Sequence, residues 1–92
     1  MFPIATVAPQ RTGVYAALLP TAIAGLLYPA YVGLSRDMQR RTLASLWSHD
    51  KLPYAIRMGA THVAFYATDD IELARAIERD LIDYYKPVLN ER

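Results

Sequence analysis

Two short apolar runs decide how this chain is read: Gly13-Val14-Tyr15-Ala16-Ala17-Leu18-Leu19, closed by Pro20, and Tyr28-Pro29-Ala30-Tyr31-Val32-Gly33-Leu34. Each is short and bounded by turn-forming residues, and the second is rich in Tyr and Val, so both are expected to be strands. Between them, Thr21 to Leu27 is ambiguous. Its Ala and Leu content leans helical, whereas Pro20 and Gly25 favour an irregular connection. The expected arrangement is an antiparallel pair joined by an unusually apolar loop that packs over the sheet edge. If exposed, residues 21–27 would be the place for a protein partner or for self-association.

The same region raises a membrane question. Thr12 to Ser35 is a run of 24 residues without a charge, flanked by Arg11 and Arg36. A bilayer-spanning helix needs about 20 apolar residues. Pro20 and Pro29 would each break such a helix where nothing repairs the lost hydrogen bonds. The run also starts too late, and lacks the flanks and cleavage pattern, for a signal peptide. No membrane association is expected, and a cytoplasmic location is.

Working outward, the 92 residues suit one domain, with residues 1–12 as an extended lead-in and 13–90 as the core. A composition 53% hydrophobic and 21% charged is globular. The absence of cysteine excludes disulfides and thiolate metal sites, and His49 and His62 are not spaced for zinc. Net charge is +1 but unevenly spread: residues 1–62 carry six basic against two acidic residues, and residues 63–92 carry four against seven. So weak a balance argues against tight non-specific nucleic-acid binding by charge alone, while leaving room for a local polyanion site.

Ser35 is placed to cap a helix from about Arg36 to Ser48, with Asp37 in its first turn. Lys51 to Met58 reads as a short second helix stopped by Gly59. Thr61 to Thr68 is β-branched and aromatic, a third strand. Asp69 or Asp70 caps a last helix that runs to about Tyr85 and ends before Pro87. The expected class is α+β: a small, three-stranded, mainly antiparallel sheet with helices packed on both faces.

The last helix carries the sharpest physical signal. At about 100° per residue, Ile71, Ala74, Ile77, Leu81, Ile82 and Tyr85 form one apolar arc, and Glu78 falls inside it. Arg75 sits at its edge. A carboxylate on a buried stripe costs several kcal/mol unless paired, protonated or metal-bound. Glu78 is therefore either a metal ligand or acid–base group in a cleft, or half of a structural ion pair. On the first long helix, Arg41, Ser45 and His49 share a face at four-residue spacing. Arginine suits phosphate because its planar fork stays charged and donates two hydrogen bonds at once.

With these residues quoted, the chain resembles the GIY-YIG nuclease family. Gly13-Val14-Tyr15 matches the first half of the signature and Tyr31-Val32-Gly33 the second. Arg41 follows the second tyrosine by ten residues on a helix. Glu78-Arg79-Asp80-Leu81-Ile82, then Lys86-Pro87-Val88-Leu89-Asn90, resembles the closing pattern of glutamate, Leu-Ile, proline and asparagine. The likeness runs from Gly13 to Asn90.

The resemblance implies a divalent-metal-dependent DNA endonuclease hydrolysing phosphodiester bonds, on branched or damaged DNA. It implies Glu78 as sole protein ligand of Mg²⁺ (or Mn²⁺), which is commonly held by few carboxylates plus phosphate. Tyr31 would activate the attacking water and Tyr15 would hydrogen-bond within the same site. A tyrosine, of ordinary pKa about 10, needs nearby positive charge to act as a base. Arg41 would stabilise charge on the phosphate, with Arg36, Arg40 and His49 as further DNA-contact candidates. Gly13, Gly33 and Asn90 would be structural, Asn90 tying the C-terminus to the core. Leu34 and Ser45 stand where relatives often carry polar helper residues. A catalytically weak or inactive module binding nucleic acid or protein is the alternative.

Overall fold

The uncharged run from Thr12 to Ser35 folds as a hairpin. In the computed structural model, which describes residues 1–4, 6, 9–39 and 51–90, strands β2 (Gly13–Pro20) and β3 (Leu27–Ser35) pair antiparallel from Gly13↔Ser35 to Pro20↔Leu27. Pro20 ends its strand. Pro29 sits beside a bulge, where a missing N–H is tolerated: Ala17 faces Tyr31 and Leu18 faces Pro29, leaving Ala30 as the extra residue of β3. Such bulges re-aim neighbouring side chains, and here the neighbour is Tyr31.

The apolar connection does not pack over the sheet edge as expected. The Thr21 hydroxyl accepts from the Ile23 N–H at 3.2 Å and donates to the Leu26 carbonyl at 2.9 Å. Gly25 takes the left-handed φ of 82°. These bonds close a tight turn that leaves Ile23 65% and Leu26 51% exposed.

The sheet has four strands rather than three, in the order β1 (Phe2–Pro3), β4 (His62–Ala67), β2, β3. β4 (His62–Ala67) pairs with β2 from Leu18↔His62 to Gly13↔Ala67. The unforeseen strand is β1 (Phe2–Pro3), which pairs Phe2↔Val63 and Pro3↔His62 within the segment read as a lead-in. Two residues leave no period to read, and proline is admitted because the strand is at an edge. Phe2 is held there by its ring, stacked on Phe65 at 5.8 Å.

Helices cover both faces. Strand alternation sends Val14 and Ala16 of β2 to one side and Tyr15 and Ala17 to the other. On the first side, Val14 and Val32 pack under Ala74, Ile77, Leu81 and Ile82 of α2 (Ile71–Tyr85). Burying a valine side chain fully stabilises by about 1.5–3 kcal/mol. On the second side, Ala17 and Ala30 meet Ala55 of α1 (Lys51–Arg57), Ala60 and Leu89. Small residues on both partners allow that helix to sit close. Gly59, with φ 105°, ends the turn after α1.

α2 begins where the Asp70 carboxylate accepts from the Glu72 and Leu73 N–H groups, at 3.0 and 3.2 Å. This fixes Asp70, not Asp69, as the cap. It ends at Lys86, whose left-handed backbone (φ 48°) sends its N–H to the Ile82 carbonyl just before Pro87. Among the described residues no helix is long and apolar enough to cross a membrane.

Of the helix expected over Arg36–Ser48, only its beginning at Met38 and Gln39 is described. Ser35 Oγ accepts from the Asp37 N–H at 3.1 Å, and Arg36 lies in the bend before the helix. The Met38 and Gln39 N–H groups donate to the carbonyls of Arg11 and Pro9 at 2.9 and 3.0 Å. The same segment reaches the start of α2. The Thr68 N–H donates to the Thr12 carbonyl at 2.8 Å, and Arg11 meets Asp69 at 3.4 Å. That ion pair is exposed and contributes at most about 1 kcal/mol.

Candidate active site

The structure brings Tyr15 and Tyr31 together. Their ring centroids lie 6.2 Å apart at an interplanar angle of 52°. Tyr15 is only 2% exposed and packs with the fully buried Met38, while Tyr31 is half-buried between that pair and the alanine cluster under α1. The glycines of the two tripeptides make this packing possible. A Cβ on Gly33 would come within 2.6 Å of the Tyr15 hydroxyl oxygen and collide with the ring itself. A Cβ on Gly13 would strike the Tyr66 carbonyl and come within 2.8 Å of Met38 Cε. Both glycines serve close approach, and neither has a positive φ.

Asn90 closes the other side of the motif. Its side-chain oxygen accepts from the Val32 N–H at 2.8 Å and its amide donates to the Val32 carbonyl at 2.9 Å. Val32 lies on β3, the edge strand of the sheet. The two bonds satisfy backbone groups that no further strand reaches.

Glu78 stands on α2, the helix over the face opposite Tyr15 and Ala17. It is half-buried, in a depression of about 260 Å³ lined by Arg75, Glu78, Arg79, Ile82 and Asp83. That depression adjoins a second, which shares Ile82 and Asp83 and includes Lys86, Pro87 and Asn90. Burial pushes the Glu78 carboxyl above the ordinary carboxylate value, and the nearby Arg75 guanidinium pulls partly the other way. Among the described residues the only ion pair is Arg11–Asp69, so no cation neutralises Glu78 at contact distance.

Arg40, Arg41, Ser45 and His49 lie outside the described residues. Arg36 is exposed, with its carbonyl held by the Thr12 hydroxyl at 2.8 Å. Two features escaped the sequence reading. Met38 carries no motif, and its signal would have been a lone apolar residue in the first turn after two buried strands. Arg79 enters the sequence reading only inside the closing pattern, without a role, though its four-residue spacing from Arg75 places both on one side of Glu78.

Among the described residues no three His, Asp or Glu side chains converge to hold a metal ion. A lone desolvated carboxylate without a salt-bridge partner still fits a hard divalent cation. Mg²⁺ keeps several waters and is commonly bound through one or two carboxylates and the substrate's phosphate oxygens.

No protein-family model matches the chain, nor does any curated protein. Solved structures do. The magnesium-bound GIY-YIG N-terminal endonuclease domain of UvrC from Thermotoga maritima superposes with a TM-score of 0.74 at 24% identity, covering 92% of this chain and 89% of that one. Two point mutants of the same domain with their catalytic divalent cation give TM-scores of 0.74 and 0.72, at 24% and 23% identity, each covering 94% of this chain and 89% of the other. The fold is that of a GIY-YIG endonuclease domain. In that GIY-YIG framework the two tripeptides are the facing strands β2 and β3, and the glycine of each makes room for the buried cluster around Tyr15.

Proposed function

We propose that this chain is a GIY-YIG nuclease: a divalent-metal-dependent DNA endonuclease hydrolysing phosphodiester bonds, acting on branched or damaged DNA in the cytoplasm. The observation that carries the reading is Glu78. It is a desolvated carboxylate on an otherwise apolar stripe, with no ion-pair partner among the described residues. The fold shared with UvrC's endonuclease domain supports the same conclusion.

In this reading Glu78 would hold Mg²⁺ or Mn²⁺. When bound, the ion would supply Lewis-acid polarisation of the scissile phosphate. Tyr31, which packs with Tyr15 and the alanine cluster on the face of β2 opposite the one that α2 covers, would take the proton of the attacking water directly or through a relay. Tyr15, wedged over Gly33, holds the Tyr31 ring in place and leaves it few orientations, the preorganisation that proton transfer needs. Arg41 donates to the phosphate oxygens as charge builds there.

Nicking of supercoiled plasmid and cutting of linear, nicked, flapped and four-way DNA with Mg²⁺, run beside Glu78→Ala, tests this. Cleavage by the wild type and none by the variant is the expected result. No cleavage of any form with Mg²⁺ or Mn²⁺ refutes it. One observation favours a second reading, a catalytically weak nucleic-acid-binding module: Tyr15 is sealed from solvent at 2% exposure, as a packing residue would be. Tight DNA binding without turnover, unaffected by Glu78→Ala, would select that reading.

A further inference from the structure

Arg75 and Arg79 are four residues apart on α2, about 6 Å along its axis, and both line the depression that holds Glu78. Like charges at this spacing destabilise a helix by a few tenths of a kcal/mol. Arg75 interacts through space with the Glu78 carboxylate, but neither guanidinium makes a contact ion pair among the described residues. Among the described residues no acidic group lies within 4.0 Å of either, even though Glu78 and Asp83 share the same walls. Both side chains are exposed, so their donors are open to an incoming group. Lys86 adds a third cation in the adjoining depression beside Asn90, beyond Asp83, which lines both.

We propose that Arg75 and Arg79 form a phosphate-binding track, gripping the DNA backbone on the side of Glu78 away from the sheet. This deepens the nuclease reading above by assigning the backbone contacts of that same site. The planar fork of each guanidinium matches two phosphate oxygens. Two cations on one helical face suit a repeating anion better than an isolated one. Because the contacts are to phosphate, they set the position of the strand and carry no base preference.

The test uses the full chain carrying Glu78→Gln, so that DNA is bound without being cut, and reads binding of a fluorescent duplex at several salt concentrations. One phosphate contact contributes a slope of about 0.9 in log K against log salt, which at 0.1 M corresponds to about eightfold in affinity relative to 1 M. Arg75→Ala and Arg79→Ala are each expected to weaken binding about eightfold at 0.1 M salt and to lower the slope by about 1, the double variant by about 2. Arg79→Lys, which keeps the charge, retains most of the slope. Arg57→Ala, a control on α1 whose guanidinium lies over the Tyr54 ring at 5.1 Å, leaves it unchanged.

An unaltered slope in the double variant overturns the track, as does an equal loss from Arg57→Ala, which would mean that only net charge matters. If the parent chain without Glu78→Gln cuts no DNA yet the arginine slopes fall, the nuclease reading fails and the track stands. If it cuts and the slopes hold, the reverse is true. Absence of any DNA binding refutes both.

Discussion

The Tyr15 ring lies across Gly33 so closely that any side chain at position 33 would occupy the same space. The two residues face each other across the β2–β3 strand pair. Glycine and tyrosine are thus two halves of one packing unit. The tripeptides that contain them are joined by shape, not only by resemblance.

Gly33→Ala is expected to destabilise the fold by about 1–3 kcal/mol, the usual consequence of forcing atoms into a filled core. Removing the ring relieves the clash. In a double-mutant cycle measured by urea unfolding, Gly33→Ala in a Tyr15→Ala background should therefore cost less than it does alone. Additive effects would mean that the ring and the glycine do not compete for space.

Asn90→Ala leaves the Val32 N–H and carbonyl without their side-chain partners. A part-buried polar group left unpaired costs about 1–3 kcal/mol. The expected result is a loss in that range, with faster hydrogen exchange at the Val32 amide. Protection at Val32 equal to the wild type would contradict it.

Glu78 should penalise the fold at neutral pH. Its folded carboxyl titrates above the unfolded one because burial disfavours the charge. Stability is therefore fullest below the unfolded value and declines as pH rises through the folded value. Glu78→Gln is expected to raise stability at pH 7 relative to the wild type, with the gap closing as pH falls below the ordinary carboxylate range. A gap that widens on acidification would reverse the sign and defeat the assignment.

Divalent cation should act in the opposite direction on the same residue. At ten times its dissociation constant, a bound ion stabilises by about 1.4 kcal/mol, or about 6–11 °C in Tm for a chain of this length. Mg²⁺ or Mn²⁺ should raise the Tm of the wild type and leave that of Glu78→Ala in place. An equal shift in both proteins would move the ion elsewhere.

Much of this was legible in the sequence, for reasons that differ by element. β2, β3 and α2 announce themselves because alternation, helical period and caps all agree, and Glu78 stood out as an exception to an otherwise apolar arc. β1 was invisible: two residues, one of them proline, have no period, and their pairing depends on β4, sixty residues away. The turn at Thr21–Leu26 misled because its composition is that of a core segment, while its shape is set by the Thr21 hydroxyl and Gly25. The pairing of Asn90 with Val32 was foreshadowed only as a tie to the core. Which strand it ties, and that the strand is an edge, are facts of topology that no local pattern contains.

The carbonyls of Pro9 and Arg11 occupy the amides of Met38 and Gln39, at the start of the helix expected to carry Arg41. The positive pole of a helix is commonly where an anion is cradled by main-chain donors. Here two of those donors, the Met38 and Gln39 amides, are already taken by the chain itself. An anion approaching that quarter does not meet them, so long side chains gain weight in any grip there, and their reach and charge can be retuned by single substitutions while the scaffold stays unchanged.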